Sequence, residues 1–369
     1  MINTRYTIEA CSSLKDCDDN TLAVFDGVDK NLFYSSAWFQ NYENTIIPDG
    51  KGELVYVVRE GTNEKEYGEA VAIHLMKTER ESTALFGYNK VTSLANYYST
   101  YHNVLIKEGI DYEPVLEVLV DEFEKNKEKY SAFNLGPVVE GDKIALLLEN
   151  EYRRKGWFTY FYKMFGNWIL HVNDQSFEDY YQTVPSKVRN TIKRKEKKLI
   201  KEHDTSYKLY TDSDEVETAI SEFNEVYNSS WKAKEPYPEF IGGLIRTCAE
   251  NKWLRLAVMQ VDNKPVAAQL WIVKDAVAYI YKLAYTEDSK KLSAGSIVTR
   301  NMMQHVIDSD RVKIIDYLTG DDAYKKDWMT ERRQMVGLMA YSNTYKGNIL
   351  TFAYRFKKLM KKLINKPDE

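Results

Sequence analysis

The sequence predicts an α/β (α+β) fold in which two similar units follow one another, each with a mixed, mostly antiparallel sheet flanked by helices. Three observations indicate it. Short apolar runs alternate with period two, which is typical of strands, and longer segments carry apolar residues at helical spacing. The same order of strands, helix and returning strand occurs in both halves. The length of 369 residues also suits two domains.

The first unit begins with strand-like runs at residues 54–59 and 70–76. Residues 113–129 then carry apolar side chains at helical spacing, which predicts an amphipathic helix. Residues 132–137 follow as a short apolar strand that ends in a Gly-Pro pair.

The second unit repeats this order with stronger signals. Residues 253–261, 265–273 and 276–285 are strand-like runs joined by tight turns, as in an antiparallel meander. A polar loop then leads into a helical segment at residues 296–307, and a fourth apolar run returns at residues 312–318.

The boundary between the units is expected near residues 157–171. We therefore take residues 1–165 as an N-terminal domain, residues 166–345 as a C-terminal domain and residues 346–369 as a terminal helix. That helix carries an apolar stripe and a largely separate set of basic residues. Such a helix packs on the neighbouring domain or lies on an anionic membrane, and we favour packing.

A second basic segment lies between the units, where residues 185–203 hold eight lysines and arginines. Val188, Ile192 and Leu199 fall near one face of the predicted helix. The basic face is either a solvated surface or a docking surface for a phosphate-rich donor or acceptor.

The net charge and the absence of several known motifs exclude some classes of protein. A formal charge of −4 excludes a uniformly cationic nucleic-acid binder. P-loop, GxGxxG and GxSxG patterns are absent. The five histidines lack metal-ligand spacing, so no metal is expected.

The sequence favours a cytoplasmic location, with contact at the inner face of the membrane as the alternative. The N-terminus lacks the order of a signal peptide, and no apolar run has the length of a membrane span. The three cysteines lack the number and spacing of a disulfide framework, which fits a reducing compartment.

One candidate anion site lies where the polar loop meets the second helix. Ser293, Ala294, Gly295 and Ser296 would let the backbone approach a ligand closely, and Lys291 adds positive charge. Free amides and the helix dipole at such a junction favour an anion such as a pyrophosphate. The alternative is an ordinary serine-capped helix.

A second candidate site follows the returning strand. Asp316 lies late in an apolar strand, and Asp321 and Asp322 follow a glycine turn at the strand end, where open α/β sheets place ligands. With Tyr324, these residues could deprotonate and orient an acceptor amine or hydroxyl. Lys325 and Trp328 are substrate-binding candidates, and Lys325 is also a candidate for an ion pair. The alternative is an Asp-rich turn and helix cap.

Further substrate-binding candidates lie in a loop and in two strands. Trp231 and Glu235 belong to a proline-containing loop that either binds an acceptor or merely packs as a lid. Gln269 and Tyr281 lie in neighbouring strand-like runs, where one row of side chains is expected to face a cleft.

In order and spacing, several motifs resemble the GNAT acyltransferase superfamily, and more narrowly its CelD-like branch, which is related to Fem-type peptidoglycan aminoacyltransferases. The resemblance covers residues 177–328. Its motifs are SKVRN at 186–190, AAQLW at 267–271, YKLAY at 281–285, LSAGS at 292–296 and GDDAYKKDW at 320–328.

This resemblance implies tandem GNAT-like domains and an acyl donor, acetyl-CoA or another acyl-CoA, at the splayed centre of the C-terminal sheet. The N-terminal domain shows no comparable loop and is expected to be a non-catalytic scaffold. Asp316 or Asp321 would act as the base, and Tyr285 or Tyr324 would protonate the leaving group. Backbone amides of residues 279–285 would stabilise the oxyanion.

The expected function is N- or O-acyl transfer to an amino sugar, a polysaccharide precursor or a related cell-envelope component. The GNAT phosphate loop is reduced here to Ser293–Ser296, whereas Fem-type relatives use aminoacyl-tRNA. A Fem-type aminoacyltransferase is therefore the first alternative, and tRNA is a partner only in that case. A non-catalytic polysaccharide-assembly protein is the second alternative.

Overall fold

The structure, a computed structural model, describes residues 5–28, 30–47, 52–61 and 68–364. Its first six strands are β1 Tyr6–Cys11, β2 Glu53–Glu60, β3 Glu69–Ser82, β4 Gly87–Ser93, β5 Leu105–Ile106 and β6 Ala132–Val139. The later strands are β7 Phe158–His171, β8 Thr205–Tyr210, β9 Leu254–Val261, β10 Lys264–Lys274, β11 Val277–Tyr285, β12 Ile314–Thr319 and β13 Glu331–Tyr341.

Helices cover this sheet in both halves of the chain. The first four are α1 Asp19–Leu22, α2 Ser36–Ile46, α3 Tyr112–Lys125 and α4 Lys143–Arg154. The later six are α5 Phe177–Thr183, α6 Ser186–Glu202, α7 Val216–Asn228, α8 Pro238–Glu250, α9 Ala294–Gln304 and α10 Tyr345–Ile364.

Across the described residues the strands form one continuous sheet, in the order β1-β2-β3-β4-β6-β13-β7-β12-β11-β10-β9-β8, with β5 beside β3. Each half contains one parallel pair, β4 with β6 and β11 with β12, among antiparallel neighbours. The predicted α/β fold with a mixed, mostly antiparallel sheet is therefore confirmed.

The last strand, β13, joins the two halves because it lies between β6 and β7. It pairs with β7 along its whole length, from Glu331 opposite Ile169 to Tyr341 opposite Phe158. The expected domain limit at residues 165 and 166 falls inside β7. The division into residues 1–165, 166–345 and 346–369 stays a prediction.

The halves also share a hydrophobic core, which is densest where α2 meets α8. Trp38 is 1% exposed, and its ring lies 5.4 Å from that of Phe240. Gly243 allows the close approach, since a Cβ there would lie 2.1 Å from Oδ1 of Asn41. Asn41 in turn donates a hydrogen bond to the Phe240 carbonyl. Burial on this scale fixes the halves relative to each other.

The parallel pair β11–β12 opens towards one end of the sheet. The two strands pair only from Val277 opposite Ile314 to Tyr279 opposite Asp316. Beyond Asp316 the register of β12 shifts, and Leu318 adopts φ +52°, a left-handed conformation that costs a leucine about 1–2 kcal/mol. Residues 280–285 of β11 therefore have no β12 partner, and a gap forms between the strands.

Only the start of the terminal helix packs on the body of the protein. Leu350 is buried, and the ring of Tyr354 stacks on Tyr160 with centres 3.8 Å apart. Our expectation that the apolar stripe of α10 packs on the neighbouring domain is wrong. Most of its large side chains lie on the face turned away from that contact and are exposed, namely Phe352, Phe356, Leu359, Met360 and Leu363.

Candidate functional site

Two adjoining cavities occupy the gap between β11 and β12. One, of about 360 Å³, is bounded by the beginning of α9, and we call it the helix cavity. The other, of about 250 Å³, is lined by both halves of the chain, and we call it the junction cavity. Leu283, Tyr317 and Tyr324 line both, so the two spaces adjoin at these residues.

The helix cavity is bounded by the first turn of α9. Ser293 precedes the helix with φ +62°, and its carbonyl accepts hydrogen bonds from the amides of Ser296 and Ile297. The amides of Ala294 and Gly295 come before the first intrahelical bond, and both residues line the cavity. A helix of 11 residues also directs its positive dipole end here. The predicted loop residues 293–296 therefore all lie at the cavity, and α9 begins two residues earlier than expected.

Gln269 holds this helix start in place. Its side-chain amide donates to the Gly295 carbonyl at 2.9 Å and to Oγ1 of Thr299 at 2.8 Å. Its oxygen accepts from Nε1 of Trp271 at 2.9 Å. Gln269 reaches the cavity as predicted, but these three bonds make it a positioning residue for α9.

An aromatic wall faces the first turn of α9. The ring centres of Trp231 and Tyr285 lie 4.2 Å apart, and both residues line the helix cavity. A Cβ on Gly295 would meet Cδ1 of Tyr285 at 3.2 Å, so only glycine leaves this space unobstructed. Trp328, which is buried, closes the same cavity.

Tyr324 lies where the two cavities adjoin. Burial, followed by the charge of Asp322, raises the pKa of Tyr324 to about 12. The phenol is therefore protonated at neutral pH and can donate a proton to a group in either cavity.

The junction cavity has polar walls supplied by the turn after β12. Lys325 is 3% exposed, and its ammonium donates to the carbonyls of Tyr317 at 3.1 Å and Thr319 at 2.6 Å. Burial lowers the pKa of Lys325. Asp322 lies 3.8 Å from this ammonium, and its side chain is 60% exposed at the cavity.

Glu235 connects the loop before α8 to the N-terminal half. Its carboxylate accepts hydrogen bonds from the hydroxyls of Tyr97 and Tyr98, each at 2.6 Å, and from Nζ of Lys282 at 2.6 Å. Burial alone would raise the pKa of Glu235, but the bonds from Lys282 and three tyrosines lower it to about 2. We call Glu235, Tyr97, Tyr98 and Lys282 the Glu235 clamp; its tyrosines and Lys282 line the junction cavity, whereas Glu235 does not.

Lys232 adds positive charge to the same cavity. Burial, reinforced by the charge of Lys282, lowers the pKa of Lys232 to about 8. The ammonium form still predominates at neutral pH, so the cavity favours a ligand with an anionic group. Tyr281 also lines this cavity, and its hydroxyl donates to the Tyr98 carbonyl at 3.3 Å.

Asp316 lines neither cavity. Its carboxylate is 3% exposed and accepts hydrogen bonds from Nδ2 of Asn167 at 2.6 Å, the hydroxyl of Tyr101 at 2.5 Å and the amide of Leu318 at 2.7 Å. Arg333 adds a charge 3.4 Å away. Burial raises the pKa of Asp316, and these partners oppose the shift. The geometry gives it a supporting position rather than contact with a ligand.

Asp321 also lies away from both cavities, on the outer surface of the sheet. Its carboxylate pairs with the guanidinium of Arg332 and accepts from Nε1 of Trp168 at 3.0 Å. These contacts lower the pKa of Asp321, the bond from Arg332 contributing most. Of the two neighbouring aspartates, the structure brings Asp322 to the junction cavity.

The predicted contribution of Lys291 differs from that observed. The neighbouring Lys290 lines the helix cavity, while the carbonyl of Lys291 accepts a hydrogen bond at 2.8 Å from Nζ of Lys195 in α6. Val188 of α6 also lines the helix cavity. The basic helix α6 is therefore adjacent to the cavity.

Sequence reasoning preferred Asp321 to Asp322, and it missed Lys232, Tyr97 and Tyr98 as lining residues. A turn has no regular alternation of side chains, so its sequence does not show which of two adjacent carboxylates points inward. The two tyrosines lie more than a hundred residues before their partner Glu235, and no local pattern signals such a pairing.

No metal centre is found among the residues that the structure describes, where no group of three or more histidine, cysteine, aspartate or glutamate side chains could hold an ion. Within the same residues, no helix is both long and apolar enough to cross a membrane.

Comparison with known proteins identifies part of the chain. Residues 186–326 match the family model for an acetyltransferase (GNAT) domain. No curated protein sequence matches the chain.

Solved structures share the fold at low sequence identity. The crystal structure of FemX is 11% identical with a TM-score of 0.56, over 90% of this chain and 97% of that chain. A tandem GNAT protein from the clavulanic acid biosynthesis pathway is 10% identical with a TM-score of 0.53, over 92% and 99%. A conserved protein of unknown function from Bacteroides thetaiotaomicron VPI-5482 is 13% identical with a TM-score of 0.53, over 91% and 99%.

The Glu235 clamp predicts a specific pH dependence of stability. Because the pKa of Glu235 is lowered to about 2 from a reference of 4.5, its charge stabilises the fold above pH 4.5. This contribution is lost as the pH falls towards 2. Glu235→Gln should therefore lower the free energy of unfolding by about 3 kcal/mol at pH 7, and the deficit should nearly vanish by pH 2.

Urea denaturation of wild type and variant between pH 2 and 7 measures this difference. Glu239→Gln, at an exposed neighbour, is the matched control and should change little at any pH. A deficit for Glu235→Gln that is constant with pH would contradict the assigned charge of the clamp.

Proposed function

We propose that this acyltransferase, whose residues 186–326 form a GNAT acetyltransferase domain, transfers an acyl group from acyl-CoA to the amine or hydroxyl of an amino sugar or related envelope precursor. The observation that carries the proposal is the gap between β11 and β12, where a cavity at a helix start adjoins a polar cavity. Membership of the CelD-like branch is part of the same proposal.

The acyl donor would occupy the helix cavity. The amides of Ala294 and Gly295 suit the pyrophosphate of a coenzyme A, because a helix start binds anions. The donor's arm would then run along residues 280–285, whose backbone has no β12 partner. This path ends at Tyr324, where the two cavities adjoin, and the thioester would lie there.

The acceptor would occupy the junction cavity. Lys232 favours an acceptor that carries a phosphate or carboxylate, as many glycan precursors do. Asp322 is the proposed proton acceptor, because its side chain lines this cavity and is 60% exposed there, with the Lys325 ammonium 3.8 Å away. This replaces the assignment of the base to Asp316 or Asp321, whose carboxylates are occupied by other partners.

The proposed reaction is a direct transfer. The acceptor nitrogen or oxygen attacks the thioester carbonyl while its proton passes to Asp322. Backbone amides of β11 that face the gap stabilise the oxyanion, a contribution that typically reaches about 3 kcal/mol. The carbon–sulfur bond breaks, and Tyr324 donates its proton to the departing thiolate. Solvent then returns one proton to Tyr324 and removes one from Asp322.

A Fem-type aminoacyl transfer is the second candidate, and helix α6 is the observation that favours it. Its lysines at 193, 197 and 198 are exposed and could contact a tRNA backbone, while Val188 of the same helix lines the helix cavity. The donor would then bring its aminoacyl ester to the same gap, so the chemistry at Tyr324 would be similar.

Direct binding distinguishes the two donors. Wild-type protein should bind acetyl-CoA in calorimetry, and Gly295→Trp should weaken binding at least about a hundredfold, or roughly 2.7 kcal/mol. The reason is that the indole would fill the helix cavity next to Tyr285. Leu85→Trp, which adds the same side chain at an exposed site, should bind normally.

The outcome assigns the donor. If wild-type protein binds neither acetyl-CoA, coenzyme A nor longer acyl-CoAs, the acyl-CoA proposal is wrong and aminoacyl-tRNA becomes the leading donor. Thermal unfolding of Gly295→Trp must remain cooperative for its loss of binding to be attributed to the cavity.

Two adjacent aspartates test the proton acceptor. Asp322→Asn should lower kcat about a hundredfold or more, as expected for loss of a general base, while affinity for the donor is retained. Asp321→Asn makes the same chemical change one residue earlier, outside both cavities, and should leave kcat nearly unchanged. Steady-state kinetics with a responsive acceptor measure both, and equal losses in the two variants would refute the assignment to Asp322.

A further inference from the structure

The terminal helix α10 has two different environments along its length. Its first turns dock on the sheet through Leu350 and Tyr354. From Arg355 onwards, the side chains that the structure describes are exposed. Half of the helix therefore extends beyond the body of the protein.

An apolar stripe runs along the exposed side of α10. Its large side chains are between 40% and 81% exposed. At 100° per residue they fall within a sector about 100° wide, and they extend over about 27 Å of helix axis. They are Tyr345, Phe352, Phe356, Leu359, Met360 and Leu363.

The charge of α10 is opposite in sign to that of the remaining chain. Residues 345–364 contain six lysines and arginines and no aspartate or glutamate. Subtracting these six charges from the formal −4 of the chain leaves −10 elsewhere. Arg355, Lys357, Lys358 and Lys361 lie beside the stripe or opposite it rather than within it.

We propose that α10 binds an anionic lipid surface and lies in its interfacial plane. The stripe would enter the boundary between headgroups and acyl chains, while the flanking lysines extend to anionic headgroups. An uncovered apolar stripe flanked only by positive charge matches such a surface in both respects. A second copy of α10 fits less well, since stripe-to-stripe packing would bring like charges together.

The test uses the full chain and vesicles of phosphatidylcholine with or without one quarter phosphatidylglycerol. Wild-type protein should sediment with the anionic vesicles, less so at high salt and hardly with neutral vesicles. Phe352→Ser with Phe356→Ser should weaken binding at least about a hundredfold, since both rings would lose their burial among the acyl chains. Leu85→Ser, which removes an apolar side chain that is 81% exposed elsewhere, should bind as wild type does.

A charge test separates α10 from the other basic helix. Replacing three α10 lysines by glutamine should weaken binding about a hundredfold. The substitutions are Lys357→Gln, Lys358→Gln and Lys361→Gln. The matched control removes three exposed lysines of α6 and should leave vesicle binding unchanged. Its substitutions are Lys193→Gln, Lys197→Gln and Lys198→Gln.

Several results would overturn the proposal. The proposal is wrong if wild-type protein does not bind anionic vesicles. It is also wrong if the α6 and α10 variants lose vesicle binding to the same extent. A dimer that Phe352→Ser with Phe356→Ser converts to monomer, without vesicle binding, would assign the stripe to a second copy. All these substitutions alter exposed side chains, so unchanged thermal unfolding shows that each variant is folded.

Discussion

The buried carboxylate of Asp316 is the interaction on which the arrangement of the site depends. It accepts hydrogen bonds from Tyr101 of the N-terminal half, from Asn167 of β7 and from the Leu318 amide, and it lies near Arg333 of β13. A buried carboxylate is costly unless it is paired and hydrogen-bonded, and here both oxygens are satisfied. The same bonds hold Leu318 in its left-handed conformation, where β12 leaves β11. The gap that contains both cavities begins at that point.

The N-terminal half contributes directly to the walls of the site. The Glu235 clamp and the shared core around Trp38 fix the loop that contains Trp231 and Lys232. Strand β13 continues the sheet across both halves, so neither half could present the junction cavity alone. The expectation that the N-terminal domain is a non-catalytic scaffold stays a prediction, and Tyr97, Tyr98 and Thr100 of this half line the junction cavity.

Much of the fold followed from local patterns. The strand-like runs at 253–261, 265–273 and 276–285 correspond to β9, β10 and β11, because alternation records which face of a strand is covered. A helix after the polar loop was also predicted, but from Ser296, whereas α9 begins at Ala294. The place of β13 between β6 and β7 was not predicted, since pairing between distant strands leaves no periodic signal in either one.

The roles of individual polar residues were harder to predict for a related reason. Asp316 and Asp321 were selected because carboxylates near a strand end often contact ligands. Both carboxylates instead accept hydrogen bonds from residues far away in the chain. Asp316 bonds to Tyr101 and Asn167, and Asp321 bonds to Trp168. Asp322 reaches the junction cavity because the turn after Leu318 directs it inward. Leu318 at φ +52° and Gly320 at φ +114° shape this turn, and the sequence alone does not reveal which of the two aspartates it brings to the cavity.

The central claim is that an acyl donor binds between the diverging strands β11 and β12. A crystal structure of the protein with acetyl-CoA tests it most directly. We expect the pyrophosphate at the amides of Ala294 and Gly295, the pantetheine arm beside residues 280–285 and the thioester within hydrogen-bond reach of Tyr324. A donor bound elsewhere on the protein, with the gap between β11 and β12 empty, would contradict this account.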